Sequence, residues 1–160
     1  MSNADAGKLI SLEGEIDENS VFDPVDVSDV SNVVVDLEKV SRINSVGIRS
    51  WMIWFNKNLR GKNLSFRACP PIVVNQFNLV GEFLPQDARV ESFFIPLFCE
   101  NCEQGKNQLM KAGVDYRAAT ADSVANIKIK TANCSSCNTE MILDTNEKVY
   151  FGFLRRVTIK

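Results

Sequence analysis

The sequence predicts a layered α/β domain over residues 1–98, followed by a small β-rich appendage over residues 99–160. Three observations predict it. Val33-Val34-Val35-Asp36-Leu37 is a nearly continuous apolar run, too short for a helix and suited to a central strand covered on both faces. Ile48, Trp51, Met52, Phe55 and Leu59 fall at i, i+3, i+4, i+7 and i+11, the stripe of an amphipathic helix. After Phe98 the long helical stripes stop, and two C-x-x-C pairs, Cys99/Cys102 and Cys134/Cys137, bracket a polar middle.

From the amino-terminal side, Leu9 to Ile16 alternates Ile10, Leu12, Gly14 and Ile16 with Ser11, Glu13 and Glu15, the period of a half-buried strand. Residues 17–31 are rich in Asp, Ser and Val, carry Pro24 and show no helical period, so they are read as loop. The 33–37 strand leads through a connector to a helix opening near Ser45 and ending at Gly61. Leu64 to Ala68 is a third strand. Pro70-Pro71 opens a second helix running to Val80, with Gly81 as its stop. Val90 to Phe98 is the domain's last strand, with Pro96 confining it to an edge or a bulge. In the appendage, Ala125 to Lys130 alternates, and Met141 to Leu143 with Val149 to Phe153 flank Asp144-Thr145-Asn146 as a hairpin would.

Composition narrows the chemistry. With 45% hydrophobic and 24% charged residues the chain is an ordinary globular sequence. Eighteen basic against 20 acidic side chains give no general field for a polyanion, so nucleic acid is disfavoured by bulk charge. There is no histidine, which removes the Ser-His-Asp triad, the Cys-His pair, histidine phosphorelay and every imidazole metal site. No glycine-rich phosphate loop and no catalytically spaced carboxylate pair appears, so the chain is read as non-enzymatic. The amino terminus has no secretory pattern and no apolar run suits a membrane span, so the expectation is a cytoplasmic protein without a membrane partner.

A reducing compartment favours metal over disulfide for the four paired cysteines. Each C-x-x-C lets two sulfurs reach one ion from a tight turn. Cys99, Cys102, Cys134 and Cys137 together complete a tetrahedral thiolate shell, for which Zn²⁺ is the expected ion. With all four positions filled by protein the ion is structural, the appendage is a zinc ribbon, and stripping the metal should unfold it. Cys69 has no partner and is expected in the core.

Val34-Val35-Asp36-Leu37 followed by Ile43-Asn44-Ser45-Val46-Gly47-Ile48 resembles the signature of STAS domains, the anti-sigma factor antagonist and sulphate transporter family. That signature usually reads aspartate, serine, serine or threonine, glycine. The resemblance extends to Leu12-Glu13-Gly14-Glu15-Ile16-Asp17, Leu64-Ser65-Phe66, Pro70, Phe77 and Gly81, and so covers about the first 98 residues. It implies a STAS-like mixed β-sheet with helices, with Ser45 as the acceptor of phosphate from a partner kinase, itself often an anti-sigma factor, whose complex the phosphate breaks. Asn44 stands where the family usually has aspartate, Val46 where a second hydroxyl is common, and the stretch from Asp17 to Asp29 where relatives have a first helix. A phosphate at a helix start meets free N–H groups and the favourable dipole end. The simpler role for Ser45 is to cap the helix, worth about 1 kcal/mol.

The expected function is therefore a regulatory protein-interaction module. Asn44 and Val46 flank Ser45 at the partner surface, Trp54 joins them as a binding anchor if it is half-exposed and otherwise packs in the core, the role its place near the stripe favours, and the ribbon is expected to pack on the sheet. The alternative is nucleic-acid binding through the ribbon, with Lys128, Lys130, Arg155 and Arg156 on phosphates.

Overall fold

A computed structural model describes residues 7–156. Its first layer is a parallel sheet in which β1 (Lys8–Ile16), β2 (Asn32–Ile43), β3 (Asn63–Arg67) and β4 (Arg89–Val90) lie side by side in chain order. β2 runs well past the expected Leu37, and the stretch that the sequence presents as a connector pairs with β1 through to Ile16↔Ile43. β1 forms one edge, broken by two register shifts and by Gly14 at φ 82°. Such irregularity and the flanking Glu and Lys side chains discourage edge-to-edge association.

One face of this sheet is the core. Val33, Val35, Leu37, Leu64 and Phe66 point into it and are buried. α1 (Ser45–Asn58) and α2 (Pro71–Leu79) cover that same face, since the rings of Trp51 on α1 and Phe77 on α2 both contact Phe66. The opposite face is not sealed: Val34, Asp36, Ser65 and Arg67 are only partly buried, and Asp36 pairs with the Arg67 guanidinium at 2.7 Å. β2 is thus covered on one face, against the expectation of two, because its alternate positions include Asn32 and Asp36. α1 begins at Ser45 as the sequence predicts. Its buried face is Gly47, Trp51, Trp54 and Phe55, with Leu59 at the cap, which leaves Ile48 and Met52 half-covered at the margin.

The 17–31 segment is a loop, built from Asx turns in which Asp17 and Asp26 accept the amides of Asn19 and Ser28. It is far from idle. Phe22 stacks on Trp54, and Lys62 Nζ anchors the loop by donating to the carbonyls of Val27 and Val30.

The strand expected at 90–98 leaves the parallel layer. Residues 89–94 run beside β3, with Glu91 N donating to Phe66 O and Phe93 bridging to Cys69. β5 (Ser92–Cys99) then becomes the central strand of an antiparallel sheet, between β6 (Gln104–Lys111) and β9 (Ile142–Leu143). One stretch of chain therefore serves both sheets. Pro96 sits in this central strand, not on an edge. Its carbonyl accepts from Asp144 N where β9 ends, so its missing donor falls beyond the last residue of that ladder. β7 (Tyr116–Arg117) and β8 (Asn126–Ile127) form a two-residue pair, much shorter than the alternation over 125–130 predicts.

The expected carboxy-terminal hairpin is replaced by two helical turns, α3 (Glu147–Tyr150) and α4 (Gly152–Arg155). Asn146 is the reason: its side chain accepts from Val149 N and caps a helix where the sequence suggests a turn between strands. These turns press Tyr150, Phe151 and Phe153 around Phe93, with ring centroids 5.2–6.4 Å from it. Asn78 on α2 clasps them, its Nδ2 donating to Tyr150 O and its Oδ1 accepting from Phe153 N. The result is one contiguous core joining both sheets, in line with the expectation that the cysteine-bearing region packs on the first.

Candidate functional site

Two tight turns bring the four cysteines together. Cys99 closes β5 and Gln104 opens β6 directly opposite it, so Glu100 to Glu103 form the hairpin loop that carries Cys102. The second pair lies on a small hairpin of its own, where Cys134 N donates to Thr139 O and Asn138 N donates to Cys134 O. In each turn the residue after the second cysteine is left-handed, Glu103 at φ 53° and Asn138 at φ 59°. This conformation reverses the chain so that both sulfurs of a pair face the same way. A hydrogen bond from Ser136 Oγ to Gln104 Oε1 joins the two turns.

All four Sγ atoms lie within 4.8 Å of one another, with Cys99 and Cys137 at 3.5 Å, and none is in a disulfide. Four thiolates about 2.3 Å from a tetrahedral Zn²⁺ are about 3.8 Å apart, so the cluster has the size and donor set for such an ion. Cys99 and Cys134 are buried while Cys102 and Cys137 reach the surface.

The protonation pattern shows why a cation suits this place. The Cys137 thiol is drawn down to about 5, first by the Thr139 hydroxyl, then by the Asn101 side chain. Cys134 is lowered chiefly by the amides of Ser136 and Cys137. Cys102 is instead pushed up to about 12, first by the Cys137 thiol and then by desolvation. Negative charge on one sulfur of the cluster opposes ionisation of its neighbours. A divalent cation removes that conflict by taking the place of the protons, and the turn amides remain to support the thiolates.

The second site of interest is the β2–α1 junction. Asn44, not Ser45, is the cap: its Oδ1 accepts from Gly47 N at 2.8 Å, and its Nδ2 donates to Glu18 Oε2 at 2.7 Å. The Glu18 carboxyl is held below its ordinary range, first by its own amide and then by this Asn44 bond. An amide at this position fits the neighbouring carboxylate, where an aspartate would meet a like charge. Asn44 N also donates to Ile16 O, which pins the helix start to the end of β1. Gly47 completes the contact. A Cβ there would overlap the Ile16 carbonyl and approach Asp17 N to 2.8 Å.

Ser45 is the first residue of α1 and is exposed. The cap is supplied next door, so its hydroxyl is free of that structural duty. It stands at the head of a shallow groove along the outer side of α1, lined by Ile48, Arg49, Met52, Ile53 and Lys57. Val46 is 49% exposed beside it, and Ile53 is 60% exposed further along. Trp54 takes the core role that the sequence favours and not the partner-binding one that it leaves open. It is 6% exposed, covered by Phe22, and its indole N–H donates to Asp23 O, so it belongs to the core. The signal for this burial lies in the loop and not in the helical stripe.

Lys128 and Lys130 are exposed and lie along one face of their segment. Arg155 and Arg156 spend donors on the carbonyls of Lys148 and Asn78, so part of their hydrogen bonding is committed within the fold. Cys69 is fully buried, and burial raises its thiol well above the ordinary range. Among the described residues no helix is long and apolar enough to cross a membrane. Comparison with protein families, with characterised proteins and with solved structures finds no match to this chain.

Proposed function

We propose that the chain is a non-enzymatic docking module whose partner sits on the outer side of α1, and that phosphorylation of Ser45 controls the fit. The carrying observation is an exposed serine, relieved of capping by Asn44, at the head of a half-apolar helix groove. A partner kinase would transfer the terminal phosphoryl group of a nucleoside triphosphate to Ser45 Oγ, the hydroxyl proton leaving to the kinase and the diphosphate departing. The product adds a charge of about −1.5 to −2. On α1 that charge lies four residues before Arg49, the favoured order for an acid and a base one turn apart. Phosphate therefore adds charge at the docking face and can engage Arg49 one turn along. The four-cysteine centre holds a structural Zn²⁺ in this reading, fixing the second sheet and, through it, the core on which α1 rests.

The test is partner capture with wild type, Ser45→Ala and Ser45→Glu, combined with mapping of phosphate on the recovered chain. Ser45→Ala is expected to hold partners as wild type does and to carry no phosphate at this position. Ser45→Glu is expected to lose at least tenfold of the captured partner. Equal capture by all three, with no phosphate at residue 45, overturns the switch.

A further inference from the structure

Charge on α1 is one-sided. The helix reads SVGIRSWMIWFNKN, with Arg49 and Lys57 and no acidic residue. Ser45, Arg49, Ile53 and Lys57 follow one another at intervals of four, so they form a single ridge along the exposed side of the helix. Arg49 and Lys57 stand two turns apart, about 12 Å at the helical rise, with the exposed Ile53 between them. Among the described residues only Lys39, Arg42 and Arg67 form ion pairs, with Glu13, Glu15 and Asp36, so Arg49 and Lys57, like most of the other cations, present their charge to solvent. The flanking Ile48 and Met52 are half-buried, which widens the apolar strip without closing it.

From this we infer that the occupant of the ridge is an acidic amphipathic helix of a partner protein. Its apolar side covers Ile53 and Met52, and two carboxylates about two turns apart meet Arg49 and Lys57. The inference rests on the docking reading above and deepens it by naming the partner's chemistry. Apolar contact between the cations supplies the burial, while the separated charges set direction and exclude basic or neutral helices. Phosphate on Ser45 would withdraw Arg49 from this match, leaving Lys57 alone.

Two synthetic helical peptides with the same leucine stripe test the point, one flanked by glutamates and the other by lysines. Each is titrated against the full chain by fluorescence anisotropy. The wild type is expected to bind the acidic peptide at least tenfold more tightly than the basic one, with a preference that shrinks as salt rises. Arg49→Glu with Lys57→Glu, both on the surface, should reverse the order. Equal binding of both peptides, binding of neither, or an order unchanged in the double variant overturns the partner class. Failure of the docking reading looks different. If Ile53→Asp leaves cellular partner capture unchanged, α1 is not the docking face. If capture is lost and the partner found presents a basic or uncharged helix, the face stands and only its acidic occupant falls.

Discussion

Gly47→Ala is expected to destabilise the chain by about 3 kcal/mol or more, at the upper end of what overpacking costs. The size follows from what the new methyl group meets. Its neighbours are the carbonyl of Ile16 and the amide of Asp17, backbone atoms at the end of β1 that cannot rotate aside. Either α1 lifts from the sheet or the β1 terminus shifts, and each breaks the Asn44 N to Ile16 O hydrogen bond that joins them. Gly81→Ala is the control. A Cβ there meets nothing within 4 Å, so a change of no more than about 0.5 kcal/mol is expected. Denaturant unfolding followed by the fluorescence of Trp51 and Trp54, both on α1, reads the two variants directly. Equal midpoints for Gly47→Ala and wild type would mean that the helix start is not held against β1 as described.

The purified chain is expected to carry one zinc ion, and Cys134→Ser with Cys137→Ser is expected to carry none. The two turns that hold the sulfurs are short, and their closing bonds are few. Structural zinc in finger peptides contributes on the order of 10 to 16 kcal/mol, comparable with or above the stability of a whole domain. Removing it with a strong chelator should melt the 99–103 and 134–138 turns first, because these are the segments that the ion joins. The aromatic packing around Phe93 gives the rest of that region an anchor of its own. Returning zinc to stripped protein should release protons, since thiols must become thiolates to bind. Elemental analysis reads the stoichiometry, and amide exchange in the two turns reads the loss of order. A chain that is metal-free as isolated and protects these amides equally with and without chelator would remove the metal centre from the account.

What the residues alone reveal is local. The alternation of β1, the 33–37 apolar run, the opening of α1 at Ser45 and the Pro71 start of α2 are short-range patterns, and each becomes the element expected, although the 33–37 strand is covered on one face and not on two. The cysteine pairs are equally local, and the gathering of their sulfurs into one cluster follows once two turns face each other. What escapes is long-range. Nothing near residues 89–99 announces that one strand starts beside β3 and ends between β6 and β9, because that choice depends on partners distant in the chain. The helical stripe places Trp54 by its offset, yet its cover comes from Phe22 in a loop with no periodicity at all. Asn78 carries no motif, and its clasp on the carboxy-terminal turns depends on two backbone groups more than seventy positions away. Asn44 is legible as a departure from a family pattern, but its bond to Glu18 is not.

The aromatic rings form an unbroken series from Trp51 through Phe66, Phe77 and Phe153 to Phe93, on the strand that ends at Cys99. Such continuity is expected to make the two sheets melt together, so that calorimetry should record one heat-absorption peak and not two. A zinc ion held by the four cysteines would then act on the stability of the whole molecule. Free zinc at about a hundredfold above its dissociation constant would add about 2.7 kcal/mol to every part that melts together, the distant helix face included. Availability of the metal in the surroundings would thereby widen the margin by which the outer face of α1 stays folded, without being required for that face to form.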